Sequence, residues 1–392
     1  MRIAFVSADG GVPVFGCKGC SVHVQAVIRE LRRAGHEVEL FAMRLGGAPP
    51  ADLGRIPVHR LDPAPGRGRE AEHPLGINRR LRRALDRAAP FDLVYERYSL
   101  WSHAAMDWAA AQGVPGVLEV NAPLIEEQRR HRALRDPDAA VAAAHRVFTR
   151  AATIVAVSDE VARYLAGFPG AAGKVRVIPN GVDPERFPPG VPPAIPRAPD
   201  RFTVGFLGSL KPWHGLEVLL EAFGFLHQFH PACRLLLVGD GPERAALEAE
   251  VRRRGLVEEV QFTGAVPPDT VPRWLAAMDC GVAPYRDAPD FYFSPLKVLE
   301  YMAAGLAVAA SEVGQLRRIV RHGATGLLLP PGDPWALAGA LARLRADPVL
   351  RARLARAGRE EALREHTWRR AVERTFEAVA VPAAPAATGA AQ

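Results

Sequence analysis

Six prolines fall within residues 188–200, PPGVPPAIPRAPD, and the chain on each side of them repeats one pattern, short apolar runs alternating with amphipathic stretches. Proline has no backbone N–H to give a helix or an inner strand, so this stretch forms neither and reads as an interdomain linker. Before it, strand-like runs at 2–7, 37–42, 92–95, 116–120, 153–157 and 175–178 are separated by helical patterns such as 21–34 and 77–87. After it the alternation restarts, with runs at 202–207, 234–238, 260–262, 280–283, 307–310 and 327–329. Strands that alternate with helices build a parallel sheet covered on both faces. The pattern predicts two doubly wound α/β domains facing each other across a cleft at the carboxyl ends of their strands, a shape suited to a ligand with two parts. The expected boundaries are a first domain over 1–188, the linker over 189–200, a second domain over 201–366 and a closing helix over 367–380 that packs back toward the first domain. Residues 46–72 form a surface excursion rich in Gly, Pro and charge, and 381–392 carry too little apolar bulk to order.

Composition narrows the partners. No apolar run approaches the ~20 residues of a membrane span, and Met1 leads directly into the strand-like RIAFVS, so a cytoplasmic protein is expected. The formal charge of +7 is spread as Arg/Glu mixtures on helices, which suits an anionic small substrate or a peripheral contact with the inner membrane face better than nucleic acid. Arginine-rich stretches at 79–87 and 129–132 carry the membrane alternative. Only four of the 50 basic residues are lysines, Lys18, Lys174, Lys211 and Lys297. Cys17 and Cys20 form a C-x-x-C between a strand and a helix, but they sit in a glycine-bracketed loop with no second pair to complete a metal site. A small-residue loop that lets backbone approach a ligand is the preferred reading, and no metal is expected.

That first loop, GGVPVFGCKG, lacks the G-x-G-x-x-G spacing, and no acidic residue closes the second strand to hold a ribose, so NAD binding is disfavoured. Gly19 can still bring a phosphate to the helix start. The stretch 291–305, FYFSPLKVLEYMAAG, has the look of a second such seat. Ser294 is placed as an N-cap, Pro295 as the first helical residue and Gly305 as the stop. Lys297 then sits in the first turn, where a cation opposes the helix dipole unless an anion joins it. Glu300, three residues on, is placed to accept hydrogen bonds from sugar hydroxyls beside that phosphate; the alternative is a Lys–Glu surface pair.

Five stretches in order carry a resemblance: VIPNGVDPERF (177–187), VGFLGSLKPWHG (204–215), LLLVGDGPER (235–244), VQFTGAVPPDTVPRWLAAMDCGVAPY (260–285) and SPLKVLEYMAAG (294–305). With GHEVELFA (35–42) and VSDEVARYL (157–165), they resemble the family-4 retaining glycosyltransferases of the two-domain, Rossmann-like GT-B architecture, over nearly the whole chain. The resemblance implies a nucleotide-diphosphate sugar held mainly by the second domain and a small-molecule, glycan or lipid-linked acceptor held mainly by the first. It also implies transfer with retained configuration, without a metal or other cofactor.

The same resemblance assigns residues. Glu300 matches the second of two family glutamates and is expected on the ribose, while Tyr292 stands where the first would be. Ser209 and His214 replace the family's arginine and lysine on the diphosphate, which leaves Lys211 and Lys297 to carry its charge. Gly241, Ala265, Val266, Ser294 and Leu296 complete the expected donor side, with the base read by backbone near 264–266. Trp213 is expected to pack rather than to stack on a sugar. Asn121 stands where many relatives carry a histidine near the reacting sugar, and His23, Arg97, Glu119 and Glu126 are acceptor-side candidates. Two other activities fit this architecture, a nucleotide-sugar epimerase or hydrolase and a non-catalytic nucleotide-sugar binder.

Overall fold

A computed structural model describes residues 1–62, 74–131, 133–134, 136–198, 200–288 and 291–380. The expected disordered tail at 381–392, and the last part of the excursion, from 63 onward, lie outside the described residues. The chain forms two compact units. One holds Met1–Asn180, Tyr292–Ser294 and the chain from Trp368 onward; the other holds Gly181–Phe291 and Pro295–Thr367.

The first unit is built on a parallel seven-stranded sheet of β1 (Arg2–Ser7), β2 (Glu37–Ala42), β3 (Val58–Arg60), β4 (Leu93–Arg97), β5 (Gly116–Val120), β6 (Thr153–Ala156) and β7 (Val175–Val177). Its order is β3-β2-β1-β4-β5-β6-β7. Successive strand side chains point to opposite faces, and Ile3, Ala4, Phe5 and Val6 are all buried, so both faces of the sheet are covered. Trp108, Phe148 and Ile154 anchor the core. The strand order reverses between β1 and β4, and loops leaving the carboxyl ends at such a reversal open a crevice for ligands.

The second unit repeats the design with β8 (Phe202–Leu207), β9 (Cys233–Val238), β10 (Val260–Gly264), β11 (Cys280–Ala283), β12 (Ala307–Ser311) and β13 (Leu327–Leu329), in the order β10-β9-β8-β11-β12-β13. Here the reversal lies between β8 and β11. Gly215, after β8, has φ +67, and a Cβ on it would come 1.8 Å from the Pro284 carbonyl oxygen. Only glycine lets the loops after β8 and β11 lie this close.

Two expectations are corrected. The units divide at Asn180/Gly181, not at Pro188, and the proline-rich stretch belongs to the second unit. Proline removes donors, but its neighbours keep theirs: the Ala194 N–H donates to the Arg273 carbonyl at 2.8 Å, and the Arg197 guanidinium is paired with Asp279. Upstream, the Val182 N–H donates to the His366 carbonyl at 2.8 Å and Phe187 is fully buried. The second correction concerns the helix Leu296–Ala303. Its N-cap is Pro295 (φ −82, ψ 79), with no side-chain cap. Ser294 lies one residue too early, its Oγ buried without a hydrogen-bond partner, and groups with the first unit. The closing helix, Trp368–Ala380, is part of the first unit, where His36 and Phe376 rings meet at 5.1 Å.

Candidate functional site

In the second unit the candidate side chains gather at the β8/β11 reversal. Lys297 enters from the first turn of Leu296–Ala303 and is 8% exposed. Its Nζ lies 4.0 Å from the Phe206 ring centroid and 5.4 Å from that of Tyr285, and it has no hydrogen-bond partner. A Cβ on Gly208 would come 3.1 Å from it, so the loop after β8 passes close by. Burial pushes the amine down to about 7, against the pull of Glu300. Aromatic faces offset part of the cost of burying an ammonium, but they do not replace an anion. The box thus holds an amine with no hydrogen-bonded anion beside it.

His214 adds no charge to this box. Its Nδ1 lies 2.6 Å from the Ser209 carbonyl, and burial, with Lys297 and Lys211 nearby, lowers the imidazole to about 3. The Ser209 side chain is exposed. Lys211 is half-buried with its Nζ 5.6 Å from the Trp213 ring; Trp213 is 43% exposed and meets the His214 ring edge-on at 6.2 Å. A Cβ on Gly241 would come 2.4 Å from the Leu210 carbonyl oxygen, which fixes the loop after β9 against the loop after β8. Ala265 is exposed, and Val266 and Leu296 are half-buried. Glu300 Oε1 lies 3.3 Å from Arg186 Nη1, and Arg186 Nη2 donates to the Pro268 carbonyl at 2.9 Å. Burial raises the Glu300 carboxyl, while Arg186 and then Lys297 oppose the rise. Arg186 stands in the 177–187 stretch quoted above and carries no expected role there.

In the first unit a cavity of about 410 Å³ opens at the β1/β4 reversal. Its wall includes Asp9 after β1, Arg97 at the end of β4, Asn121 after β5, and Cys20, Glu127 and Tyr292. Asn121 Nδ2 donates to Glu119 Oε1 at 2.5 Å, which leaves its carbonyl oxygen for the cavity. Glu119 is a buried hub: His23 Nε2 lies 2.7 Å from Oε1, and the Tyr95 hydroxyl donates to Oε2. Burial alone would raise this carboxyl, but His23, Arg97 and Tyr95 together hold it down to about 2.

Several expected assignments move. Tyr292, expected on the donor side, belongs to the first unit, with its hydroxyl 3.1 Å from Glu127 Oε2 and its carbonyl accepting from Ser158 Oγ at 3.2 Å. His23 faces neither solvent nor this cavity, being buried against Glu119 and the Trp368 ring at 4.8 Å. Glu126 also lies off the cavity wall, with Oε2 buried, and its charge raises the Tyr98 and Tyr164 phenols after burial has done so. Gly19, expected on the donor side, is an exposed first residue of the helix Gly19–Arg33 in the first unit, and its neighbour Cys20 reaches the cavity.

Residues 18–186 match the model described as Glycosyltransferase Family 4, and residues 201–347 the model described as Glycosyl transferases group 1. A D-inositol 3-phosphate glycosyltransferase from Acidothermus cellulolyticus is 30% identical over 415 residues, which covers 95% of this chain and 88% of its own. The chain belongs to glycosyltransferase family 4. A second family relative, the 2-deoxystreptamine glucosyltransferase of Streptomyces kanamyceticus, is 33% identical over 222 residues, 54% of this chain and 56% of its own. The fold is shared with Anabaena HepE, solved in complex with UDP and glucose, at a TM-score of 0.70 and 24% identity over 96% of this chain and 98% of that one. Glycosyl transfer is therefore the reaction these two units serve. Among the described residues no helix is long and apolar enough to cross a membrane.

Proposed function

We propose that the protein transfers a sugar from a nucleotide-diphosphate sugar, held by the second unit, to a hydroxyl of a cyclitol acceptor held in the cavity of the first. The observation that carries this reading is the buried, unpartnered Lys297 amine in its aromatic box. In the transfer the bond from the sugar's anomeric carbon to the diphosphate oxygen breaks and one to the acceptor oxygen forms. Negative charge grows on the leaving diphosphate, and a preorganised cation in a dry site stabilises that charge more than it stabilises the ground state. Lys297, with Lys211 at the loop after β8, supplies it without a metal. Glu300 holds the ribose hydroxyls. The acceptor proton passes to the departing phosphate oxygen on the face of attack, so configuration is retained and no protein base is required; Asn121 orients a hydroxyl through its free carbonyl oxygen.

A cyclitol is favoured because the relatives' names, D-inositol 3-phosphate and 2-deoxystreptamine, share a polyhydroxylated six-carbon ring. Exposed Arg79, Arg82, Arg83 and Arg87 on the helix Gly76–Ala88 support a peripheral contact with anionic surfaces. The test is a panel of UDP, GDP and ADP sugars with and without acceptor, read as nucleotide release and as the anomer formed. Release that needs acceptor, and that Lys297→Met abolishes, is expected. Release that ignores acceptor, or an inverted product, overturns the reading.

A further inference from the structure

The two cyclitols named above carry opposite charge, a phosphate ester on one and amines on the other, so the charged side chains on the cavity wall bear on which one fits. Resting on the transfer reading, we propose that Arg97 is an anion anchor and that the acceptor is a cyclitol bearing a phosphate group. Arg97 ends β4 at the sheet's reversal point and lines the cavity with a side chain only 15% exposed. Its Nε and Nη1 are buried and bond to nothing. The nearest carboxylate, Glu119, is 3.9 Å from Nη1, beyond hydrogen-bond reach. The oxygens of Glu119 are already engaged by His23, Asn121 and Tyr95.

The carboxylates on the wall have donors of their own. Asp9 Oδ1 accepts the Gly11 N–H at 2.7 Å, and Glu127 Oε2 accepts the Tyr292 hydroxyl at 3.1 Å. The wall therefore combines carboxylates that each already hold a donor with a guanidinium whose Nε and Nη1 hold no acceptor. A guanidinium left without hydrogen bonds in a low-dielectric wall is costly, and its planar fork matches two oxygens of a phosphate. An aminocyclitol would instead bring ammonium groups into the same cavity as this cation, a like-charge cost that a phosphate ester avoids.

The test is titration calorimetry on the full chain with D-inositol 3-phosphate, myo-inositol and 2-deoxystreptamine, and with vesicles containing phosphatidylinositol. The phosphate ester is expected to bind roughly ten- to a hundredfold tighter than myo-inositol, the range of one charge-assisted contact. Preference for the free ester identifies a soluble acceptor, and preference for the vesicles a lipid headgroup; either supports the anchor. Arg97→Ala should erase the difference between ester and myo-inositol, and Arg97→Lys should restore part of it. If the alanine variant melts early, the lysine and glutamine variants carry the same comparison. Tighter binding of 2-deoxystreptamine than of the ester, or an unchanged ester-to-inositol ratio in the variants, overturns the proposal. Nucleotide-sugar binding, titrated separately, judges the transfer reading on its own, because the Arg97 ratio does not depend on it.

Discussion

Nη1 of Arg186 lies 3.3 Å from Oε1 of Glu300, while Nη2 of the same guanidinium is bonded to the Pro268 carbonyl. One cation thus ties the carboxylate assigned to the ribose to the loop that follows β10.

The tie has a pH signature. Burial already raises Glu300, and Arg186 is the larger of the two charges that resist the rise. In Arg186→Ala the carboxyl should climb further, so that nucleotide affinity drops more steeply than in the native protein as the buffer is taken from base to acid. Glu300→Gln should weaken binding roughly tenfold and flatten that dependence. Nucleotide titration along that pH series checks both; parallel profiles for Arg186→Ala and native protein would remove Arg186 from the donor site.

Lys297→Met should stabilise the fold while abolishing transfer. The amine falls from 10.5 to about 7 on folding, chiefly through burial. Below pH ~7 the folded and unfolded chains both hold the proton, and the cost of burying the charge is complete. From there toward pH ~10.5 the folded amine is neutral and the cost shrinks, so the gain in Tm should be largest at and below neutrality and fade in base. Melting curves of the two proteins across pH give the answer, and equal Tm values at neutral pH would contradict it.

Glu119→Gln works in the opposite sense. Its carboxyl is held at about 2 against an ordinary 4.5, so the hub contributes stability that is complete above pH ~4.5 and lost as pH falls toward ~2. The variant should melt several degrees lower at neutral pH, with the gap closing in acid. It should also lower kcat, because Asn121 loses the partner that fixes its amide. Melting and kinetics measured on one preparation separate the two effects.

Cys20 reaches the acceptor cavity and Cys17 is exposed, both as free thiols. Replacing both by serine should leave transfer near native. Alkylating the native protein with a bulky maleimide should inhibit it, and acceptor should protect. Inhibition that persists in the Cys20→Ser variant would place the sensitive thiol elsewhere.

Much of this architecture is legible in the sequence because strands buried on both faces must be largely apolar, as residues 3–6 and 235–238 are. The strand Val58–Arg60 escapes that logic: VHR is neither apolar nor alternating, and only its pairing with β2 makes it a strand. The prolines at 188–200 exclude helix and inner strand, but they say nothing of which neighbour the segment docks on. Lys297 and Glu300 stand out through local helix chemistry. Tyr292 and Arg186 do not, since their partners Glu127 and Glu300 are 165 and 114 residues distant, and side-chain contacts at that separation leave no local pattern.

Of 50 basic side chains this protein spends 46 as arginine, yet the aromatic box between Phe206 and Tyr285 holds a lysine. An arginine keeps its proton in any protein environment, so in that box it would demand a permanent counter-ion. Lysine can release its proton when the box is empty and recover it when a diphosphate arrives. On the proposed reaction, every turnover would then borrow a proton from the buffer at donor binding and return it at nucleotide release, a cycle with no net consumption that a weakly buffered stopped-flow experiment would register as a transient alkaline pulse.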